Sequence, residues 1–481
     1  MSRKMASTRI HAPATAIGVA LLIAVHGATA AEFAVTTLAD AGAGSLRAAV
    51  AAANAAPGAD AVRFQVQGTV ALASGAIGIT GPVTIEGCAG CAIEAADSRV
   101  FEILGDRNEP RSIAVALRRL RLSGNPPQGD GGAIHAEAVR LQILDSVVRD
   151  SHVDGWGGAL YADDCEVAIS GSRFEANAAT GNGGAVASSV GRVLVDHSVF
   201  ADNHAGAQGG ALWANWIYDS AVQVASSTLR NNGAGRDGGA ISAEVAEFHI
   251  EGSTFEANVA EYWAGGALYL REAGDVPATI DNSTFVDNRA PYDGGQGAAI
   301  LLAGGRLLAR HLTVSGNVVG NAGGLADGDG GAVAVGATED THLQLVNSIV
   351  AGNHRVEGTP HDLARELSVA APNRLDLRYS LVGVQPEAGT INGIDVGNRM
   401  DVAPLLGDLA NHGGPTRTQA LLPGSPACDA AESLPDLATD QRGAGFARAW
   451  NAPDMGAWEH RADTLFIGDF EQHRVDLGCT R

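Results

Sequence analysis

Aromatic rings and carboxylates that recur at a fixed place in a repeated phrase are the residues of this sequence best suited to chemistry. Tyr161, Trp213 and Tyr269 each directly follow a phrase made of two glycines, an alanine and an aliphatic residue. Trp156 and Trp263 lie just before such phrases. Flat rings on a rigid scaffold suit stacking on sugar rings. These five residues are therefore the predicted ligand-binding set.

Carboxylates occupy the position just before the two glycines in only some copies of the phrase. Asp130, Asp237 and Asp329 stand there, but other copies interrupt them with Trp156, Asn182, Gln208, Ala264 and Gln296. Lyase or hydrolase chemistry needs convergent carboxylates, or a cation with a base. This column does not place two carboxylates on adjacent copies, so no catalytic residue is predicted.

No cofactor and no metal site are predicted from the sequence. The run Asp327-Gly-Asp329-Gly resembles part of a calcium loop, but it lacks the distal glutamate of an EF-hand. Calcium at this run is kept as an alternative.

The phrase that positions these side chains recurs eight times, which indicates a stacked repeat architecture. Successive copies are separated by 26, 26, 26, 29, 27, 32 and 33 residues. A period in this range is typical of solenoids, in which each unit buries its apolar face against its neighbours. The copies begin at Gly131, Gly157, Gly183, Gly209, Gly238, Gly265, Gly297 and Gly330.

A second phrase in each repeat ends in asparagine, and short stretches of alternating polar and apolar residues separate the two phrases. Alternation over three to six residues predicts strands rather than helices. Each repeat is therefore predicted to be one coil of a parallel β-helix. Stacked side-chain amides can pair along such a coil axis. The predicted ladder consists of Asn177, Asn203, Asn232, Asn258, Asn288, Asn317 and Asn353.

The two ends of the chain differ from the repeats. Residues 45–54 predict one short helix with Ser45 as its N-cap, placed to cover the open end of the first coil. The predicted organisation is a signal peptide over 1–30, an N-terminal cap over 31–60, coils over 61–356, an irregular C-terminal cap over 357–460 and a tail over 461–481.

The first thirty residues have the features of a secretory signal peptide. Arg3, Lys4 and Arg9 precede an apolar stretch over 16–25 that is too short to span a bilayer, and residues 28–30 form an Ala-Thr-Ala cleavage site. The mature chain is thus expected to begin at Ala31 and to contain no transmembrane segment. The net charge of −22 disfavours nucleic acid as a partner.

Five cysteines in an exported chain predict disulfide bonds. The candidates are a small loop closed by Cys88 and Cys91 and a tie between Cys428 and Cys479. Cys165 is predicted to be a buried thiol.

The paired phrases resemble the repeats of chlamydial polymorphic outer membrane proteins and related bacterial β-helix surface proteins. The F-x-x-N copies at 174–177, 200–203, 255–258 and 285–288 carry this resemblance. Residues 33–50 resemble the N-terminal CSLREP region, and the motifs at 401–407, 411–418, 422–427, 439–443 and 454–459 resemble the choice-of-anchor Q domain. The resemblance implies an all-β, right-handed parallel β-helix with a short N-terminal capping helix.

Function follows from these expectations only as a class. The expected protein is a secreted or surface, outer-membrane-associated protein of a Gram-negative bacterium that binds a glycan or a partner surface. Two alternatives stay open: a polysaccharide lyase or glycoside hydrolase on the same fold, and a structural component of the cell surface.

Overall fold

The computed structural model describes residues 30–272, 274, 276–292, 295–320, 331–336, 341–355, 363–365, 373–384, 391–448 and 452–460. Residues 1–29 of the predicted signal peptide, Asp327, Asp329, Cys479 and the tail lie outside this part of the chain. Three sheets of parallel strands wind around one axis, and a separate antiparallel pair, Leu406–Ala410 and Thr418–Leu421, lies near the C-terminus. The predicted parallel β-helix is confirmed.

Sheet A is the largest sheet and supplies two strands to most coils. Its first row, called row A1, follows the glycine phrases, and its second row lies directly downstream. The 23 described strands are Glu32–Val35, Asp60–Phe64, Ile77–Ile79, Val83–Glu86, Phe101–Leu104, Ile113–Arg118, Ile134–Glu137, Val139–Leu144, Leu160–Asp163, Cys165–Ser170, Val186–Ser188, Gly191–Asp196, Leu212–Ala225, Ile241–Glu251, Leu268–Glu272, Ala278–Asp281, Ile300–Gly304, Arg306–Arg310, Val333–Val335, His342–Val346, Leu363–Arg365, Arg374–Arg378 and Asp395–Val396.

Sheets B and C complete the coils with shorter strands. The 13 strands of sheet B are Gly68–Leu72, Cys91–Ala95, Arg121–Gly124, Val147–Arg149, Arg173–Glu175, Val199–Ala201, Thr228–Arg230, Thr254–Glu256, Thr284–Val286, Thr313–Ser315, Ile349–Val350, Leu381–Val382 and Arg399–Met400. The eight of sheet C are His152–Val153, Ala178–Ala179, His204–Ala205, Gly233–Ala234, Val259–Ala260, Arg289–Ala290, Val318–Val319 and His354–Arg355.

Strand alternation fills the centre of the solenoid with apolar side chains. In Val139–Leu144 the residues alternate between buried and half-buried, so that Leu141 and Ile143 point inward. Rings stack inside as well, with Phe174 and Phe200 4.9 Å apart at 7°. One continuous apolar cluster runs from Val35 to Val382. Each coil therefore depends on its neighbours for burial.

The paired glycines are required by two different constraints. The first, such as Gly157, adopts a φ of +68°, which favours a residue without a Cβ atom. The second, such as Gly158, lies against the next coil, where an added Cβ would be 2.1 Å from the Gly184 carbonyl oxygen. The repeated phrase thus sets both the turn and the spacing of the coils.

The predicted asparagine column forms a buried amide ladder. From Asn177 to Asn317, each side-chain Nδ2 donates to the Oδ1 of the asparagine one coil on, at 2.8–2.9 Å. Each Oδ1 also accepts a backbone N–H from the coil before it, and all seven asparagines are at most 1% exposed. A parallel ladder that the sequence analysis missed joins serine hydroxyls to backbone N–H groups; it includes Ser146, Ser172, Ser198, Ser227, Ser253 and Ser283.

The N-terminal helix is Leu46–Ala55, and Ser45 accepts a hydrogen bond from the Ala48 backbone N–H, as predicted. Leu46, Ala49 and Val50 are buried in the same cluster as the coils. The helix therefore closes the apolar core at this end. In the described residues no helix is long and apolar enough to cross a membrane.

The solenoid is longer than the 61–356 predicted from the repeat. Parallel pairing already joins Glu32–Val35 to Asp60–Phe64, and it continues to Arg399–Met400. Both boundaries were wrong because strands pair through the backbone, which needs neither the glycine nor the asparagine phrase.

The C-terminal region folds back along sheet B instead of only extending past the last coil. Gln441 Nε2 donates to Thr254 Oγ1 at 2.9 Å, and Thr284 Oγ1 donates to Gln441 Oε1 at 2.6 Å. Arg448 donates to Asn282 Oδ1 at 2.9 Å. A second apolar cluster joins this region to the coils; it includes Ile349, Ala351, Leu381, Leu421, Ala427 and Met455.

Candidate functional site

The residue column that follows the glycine phrases lies in register on the outside of row A1. We call it the outer row. Strand pairing aligns His135 with Tyr161, Tyr161 with Ala187, and so on through the row without a shift. The remaining members are Trp213, Ser242, Tyr269, Leu301 and Ala334.

Aromatic rings form a continuous strip over the first four coils of the outer row. His135 and Tyr161 have ring centroids 5.3 Å apart. The Trp156 ring leans from its turn onto both Tyr161, at 6.2 Å, and Trp213, at 5.2 Å. Ala187 separates Tyr161 from Trp213 in the outer row, and its small side chain leaves a gap between the two rings. The Trp156 ring lies over this gap and is 39% exposed.

Trp213 is not the open stacking surface that the sequence predicted. It lies outside the apolar core, but it is only 7% exposed because Trp156 packs against it. Tyr269 is half-buried and packs against Leu301, Ala303 and Ala334. Of the five predicted binding residues, the two that solvent reaches most easily, Trp156 and Trp263, therefore lie in the turns.

The turns before the glycine phrases carry a second group of rings, which we call the turn aromatics: Tyr262, Trp263 and Tyr292. They are 57%, 56% and 52% exposed. Tyr262 and Tyr292 contact edge to face at 6.0 Å, and the Arg236 guanidinium lies 5.0 Å from the Trp263 ring. Trp156 occupies the equivalent turn four coils earlier, so about 20 Å separates it from Trp263 along the axis.

Two carboxylates that the sequence analysis missed lie side by side on row A1. Glu137 and Asp163 are paired in register, and a single Arg107 nitrogen donates to both at 2.9 Å. Asp163 also accepts from Ser189 Oγ at 2.6 Å, and His135 Nε2 lies 3.1 Å from Glu137. Extending the glycine-phrase alignment two residues past the outer row finds this pair.

Electrostatics make Glu137 an anion at neutral pH. Burial raises its pKa, but hydrogen bonds from His135 and Arg107 outweigh burial, and the pKa ends below the ordinary value. A carboxyl group that donates a proton to a leaving group needs a raised pKa. Glu137 therefore suits hydrogen-bond acceptance better than acid catalysis.

A third carboxylate lies deeper, between the strip and the turn aromatics. Asp237 is 4% exposed and accepts from Gln208 Nε2 at 2.9 Å, and burial raises its pKa. Burial also raises the pKa of Tyr269 to about 12, with nearby Glu244 and Asp237 acting in the same direction. The Tyr269 phenol therefore stays neutral. In the described residues no group of three or more histidine, cysteine or carboxylate side chains could hold a metal ion.

A shallow cavity of about 320 Å³ lies elsewhere, between sheet B and the C-terminal strand pair. Its lining includes Asp287, Ser315, Asp408 and Gln419 but no aromatic ring. The strip and the turn aromatics offer the better site for a ligand with ring faces.

The cysteines lie away from these surfaces. Cys88 and Cys91 form a disulfide with a Cα–Cα distance of 5.1 Å. Cys428 is also disulfide-bonded, and Cys479, its predicted partner, lies outside the described residues. Cys165 is a buried free thiol, and burial raises its pKa to about 12. It is therefore unsuited to act as a nucleophile.

Comparison with known proteins identifies the fold. Residues 133–353 match a protein family described as the right handed beta helix region. The crystal structure of bacteriophage CBA120 tailspike protein 3 is similar at 13% identity and a TM-score of 0.40, with 74% of this chain and 57% of the tailspike chain covered. No curated protein matches. The chain is therefore a right-handed parallel β-helix repeat protein.

Proposed function

We propose that this protein binds carbohydrate, and specifically an uncharged polysaccharide, along the strip and the turn aromatics. The observation that carries the proposal is the exposure of Trp156 and Trp263 at 39% and 56% on equivalent turns of a rigid solenoid. Exposed rings on the turns of a scaffold that cannot collapse around them mark an interaction surface. Sugar rings present an apolar face for stacking and hydroxyl groups at their edges.

Polar groups beside the rings support the choice of an uncharged ligand. Glu137 and Asp163 are hydrogen-bond acceptors along the strip, while Arg107 is already engaged by both. The whole chain carries a net charge of −22. An anionic polymer would be repelled by this surface, whereas hydroxyl groups can donate to its carboxylates.

We further propose that the protein is exported and acts at the surface of a Gram-negative cell. The apolar segment over 16–25 and the small residues at 28–30 support export. The resemblance of the repeats to bacterial surface proteins supports the location.

Binding is tested with the mature chain, residues 31–481, on gels or beads carrying neutral and acidic polysaccharides. Reducing and unsaturated chain ends are measured in the same samples. We expect retention on neutral polymers, little effect of salt, and no new chain ends. Trp156→Ala and Trp263→Ala should each weaken binding about tenfold.

The matched control is Trp216→Ala. Trp216 is 49% exposed, but it lies within a strand, four residues after the strand begins at Leu212, and not in the turns that carry Trp156 and Trp263. Its loss should leave the affinity unchanged. Equal losses for all three variants, or retention on acidic polymers only, would contradict the proposed site. New chain ends would show instead that the protein is a polysaccharide-cleaving enzyme. Glu137 and Asp163 would then be the first candidates for its catalytic residues.

A further inference from the structure

A buried carboxylate with an unused oxygen lies at the start of the solenoid. Asp60 begins the strand Asp60–Phe64 and is 2% exposed. Its Oδ1 accepts the backbone N–H of Ala31 at 2.7 Å. Its Oδ2 is buried as well and has no hydrogen-bond partner in the described part of the chain.

A carboxylate oxygen without a partner is costly where water cannot reach it. A buried carboxylate needs a counter-charge or several donors, and Asp60 has one neutral amide. Arg63 does not supply the charge. It lies on the opposite face of the same strand, as the burial pattern shows, and pairs with Glu32 at 3.1 Å in solvent.

Ala31 lies directly before the first described strand of the solenoid. Ala30 is exposed, Ala31 is half-buried, and the first strand begins at Glu32. The Ala31 carbonyl already accepts from Ala61 N–H at 2.9 Å. Small residues at positions 28 and 30 suit a peptidase that removes export signals.

We propose that the bond between Ala30 and Ala31 is hydrolysed by a peptidase of the signal-peptidase class, and that Asp60 receives the α-ammonium group this cleavage creates. Water adds its hydroxyl to the Ala30 carbonyl carbon, the C–N bond breaks, and the Ala31 nitrogen takes up protons to become an ammonium group. That nitrogen is already at hydrogen-bond distance from Oδ1. Its additional N–H bonds provide the donor and the positive charge that Oδ2 lacks.

The ion pair would fasten the outermost strand of the solenoid. Glu32–Val35 pairs with Asp60–Phe64 alone among the described strands. A terminal strand with a single partner frays most readily. Processing would thereby complete the first coil, because the charge that holds the strand exists only after cleavage.

The sequence makes the new amino group easy to observe. Lys4 is the only lysine, and it lies in the segment that is removed. The α-amino group of Ala31 is then the only primary amine of the mature protein. The exported protein is purified, its N-terminal residue is determined by mass spectrometry, and the amine is carbamylated with cyanate at pH 7.

We expect an N-terminus at Ala31 and slow carbamylation of the folded protein. An ion pair that raises the pKa of the ammonium group by about one unit lowers the reactive free-amine fraction about tenfold. Asp60→Asn should restore the tenfold faster rate. Glu32→Gln, which changes an exposed carboxylate one residue from the terminus, should react like the unaltered protein.

Several results would overturn the proposal. A mature N-terminus at any other residue would remove its basis. Carbamylation of Asp60→Asn as slow as that of the unaltered protein would show that burial alone shields the amine. If Asp60→Asn does not fold, the pH dependence of carbamylation in the unaltered protein decides, because an apparent amine pKa at its ordinary value of about 7.7–8.0 excludes the ion pair.

Discussion

Replacing Asn232 by leucine should destabilise the solenoid strongly, although the two side chains are similar in size. Asn232 is 0% exposed. Its Oδ1 accepts the backbone N–H and Nδ2 of Asn203 at 3.1 and 2.9 Å, and its Nδ2 donates to Asn258 and to the Phe200 carbonyl at 2.9 and 3.0 Å. Leucine makes none of these four hydrogen bonds.

The cost can be worked out group by group. The Asn203 backbone N–H loses its acceptor in a buried site, which costs about 1–3 kcal/mol. The other three groups retain a second partner or a second lone pair, so each loses about 0.5–1 kcal/mol. The summed loss in the free energy of unfolding is about 2.5–6 kcal/mol, and the apolar surface of leucine recovers part of it.

Urea unfolding followed by far-ultraviolet circular dichroism measures this loss. Asn108→Leu is the control, because Asn108 is exposed and bonds only within its own turn, to Asp106. It should change stability by less than about 1 kcal/mol. A loss below 1 kcal/mol for Asn232→Leu, or equal losses for both variants, would refute the assignment of the ladder as a main source of stability.

Three further predictions concern buried groups. Arg448→Met should cost about 3–5 kcal/mol and make the C-terminal region sensitive to protease, because the Arg448 and Glu459 side chains are each 2% exposed and the change removes the guanidinium group from beside a buried carboxylate. Burial, with nearby Arg448 adding to it, lowers the pKa of His311 well below 6.5. As the pH drops below about 6.5, the unfolded chain therefore binds a proton before the folded protein does, and the free energy of unfolding should decrease. Urea titrations at several pH values should show a weaker pH dependence for His311→Gln, and an unchanged dependence would assign the effect to other groups. Cys165 should resist thiol reagents in the folded protein because it is buried and its pKa is raised. After unfolding without a reducing agent, one thiol per chain should react. More than one reactive thiol would show that Cys428 and Cys479 are not bonded to each other.

The sequence predicted those features that depend on repetition along the axis. Register followed from the glycine phrase, because Gly157 and Gly158 can be replaced only with strain at φ or with a clash against the next coil. The inward position of Asn232 followed for a similar reason, since an amide column is satisfied only when every coil contributes. The cap at Ser45 is a local signal and was equally visible.

Features that depend on contacts between distant, unrepeated segments could not be predicted. Gln441 lies 187 residues from Thr254, and nothing periodic links them. The prediction of an exposed Trp213 was wrong because the Trp156 ring covers Trp213. Trp156 can reach Trp213 only because the neighbouring outer-row residue, Ala187, is small. Glu137 and Asp163 were within reach of the alignment, but the column inspected for carboxylates was the one just before the two glycines, seven residues upstream of this pair.

The amide ladder also sets how the chain can change in length. Every bond of Asn203 reaches only the coil on either side, and every coil in this stretch offers the same donor and the same acceptor. Removing residues 178–203 would bring Asn177 against Asn232 with the same pairing of amides. Whole coils are therefore interchangeable units, so duplication or loss of one repeat can lengthen or shorten the proposed binding surface while the hydrogen bonding of the interior is conserved.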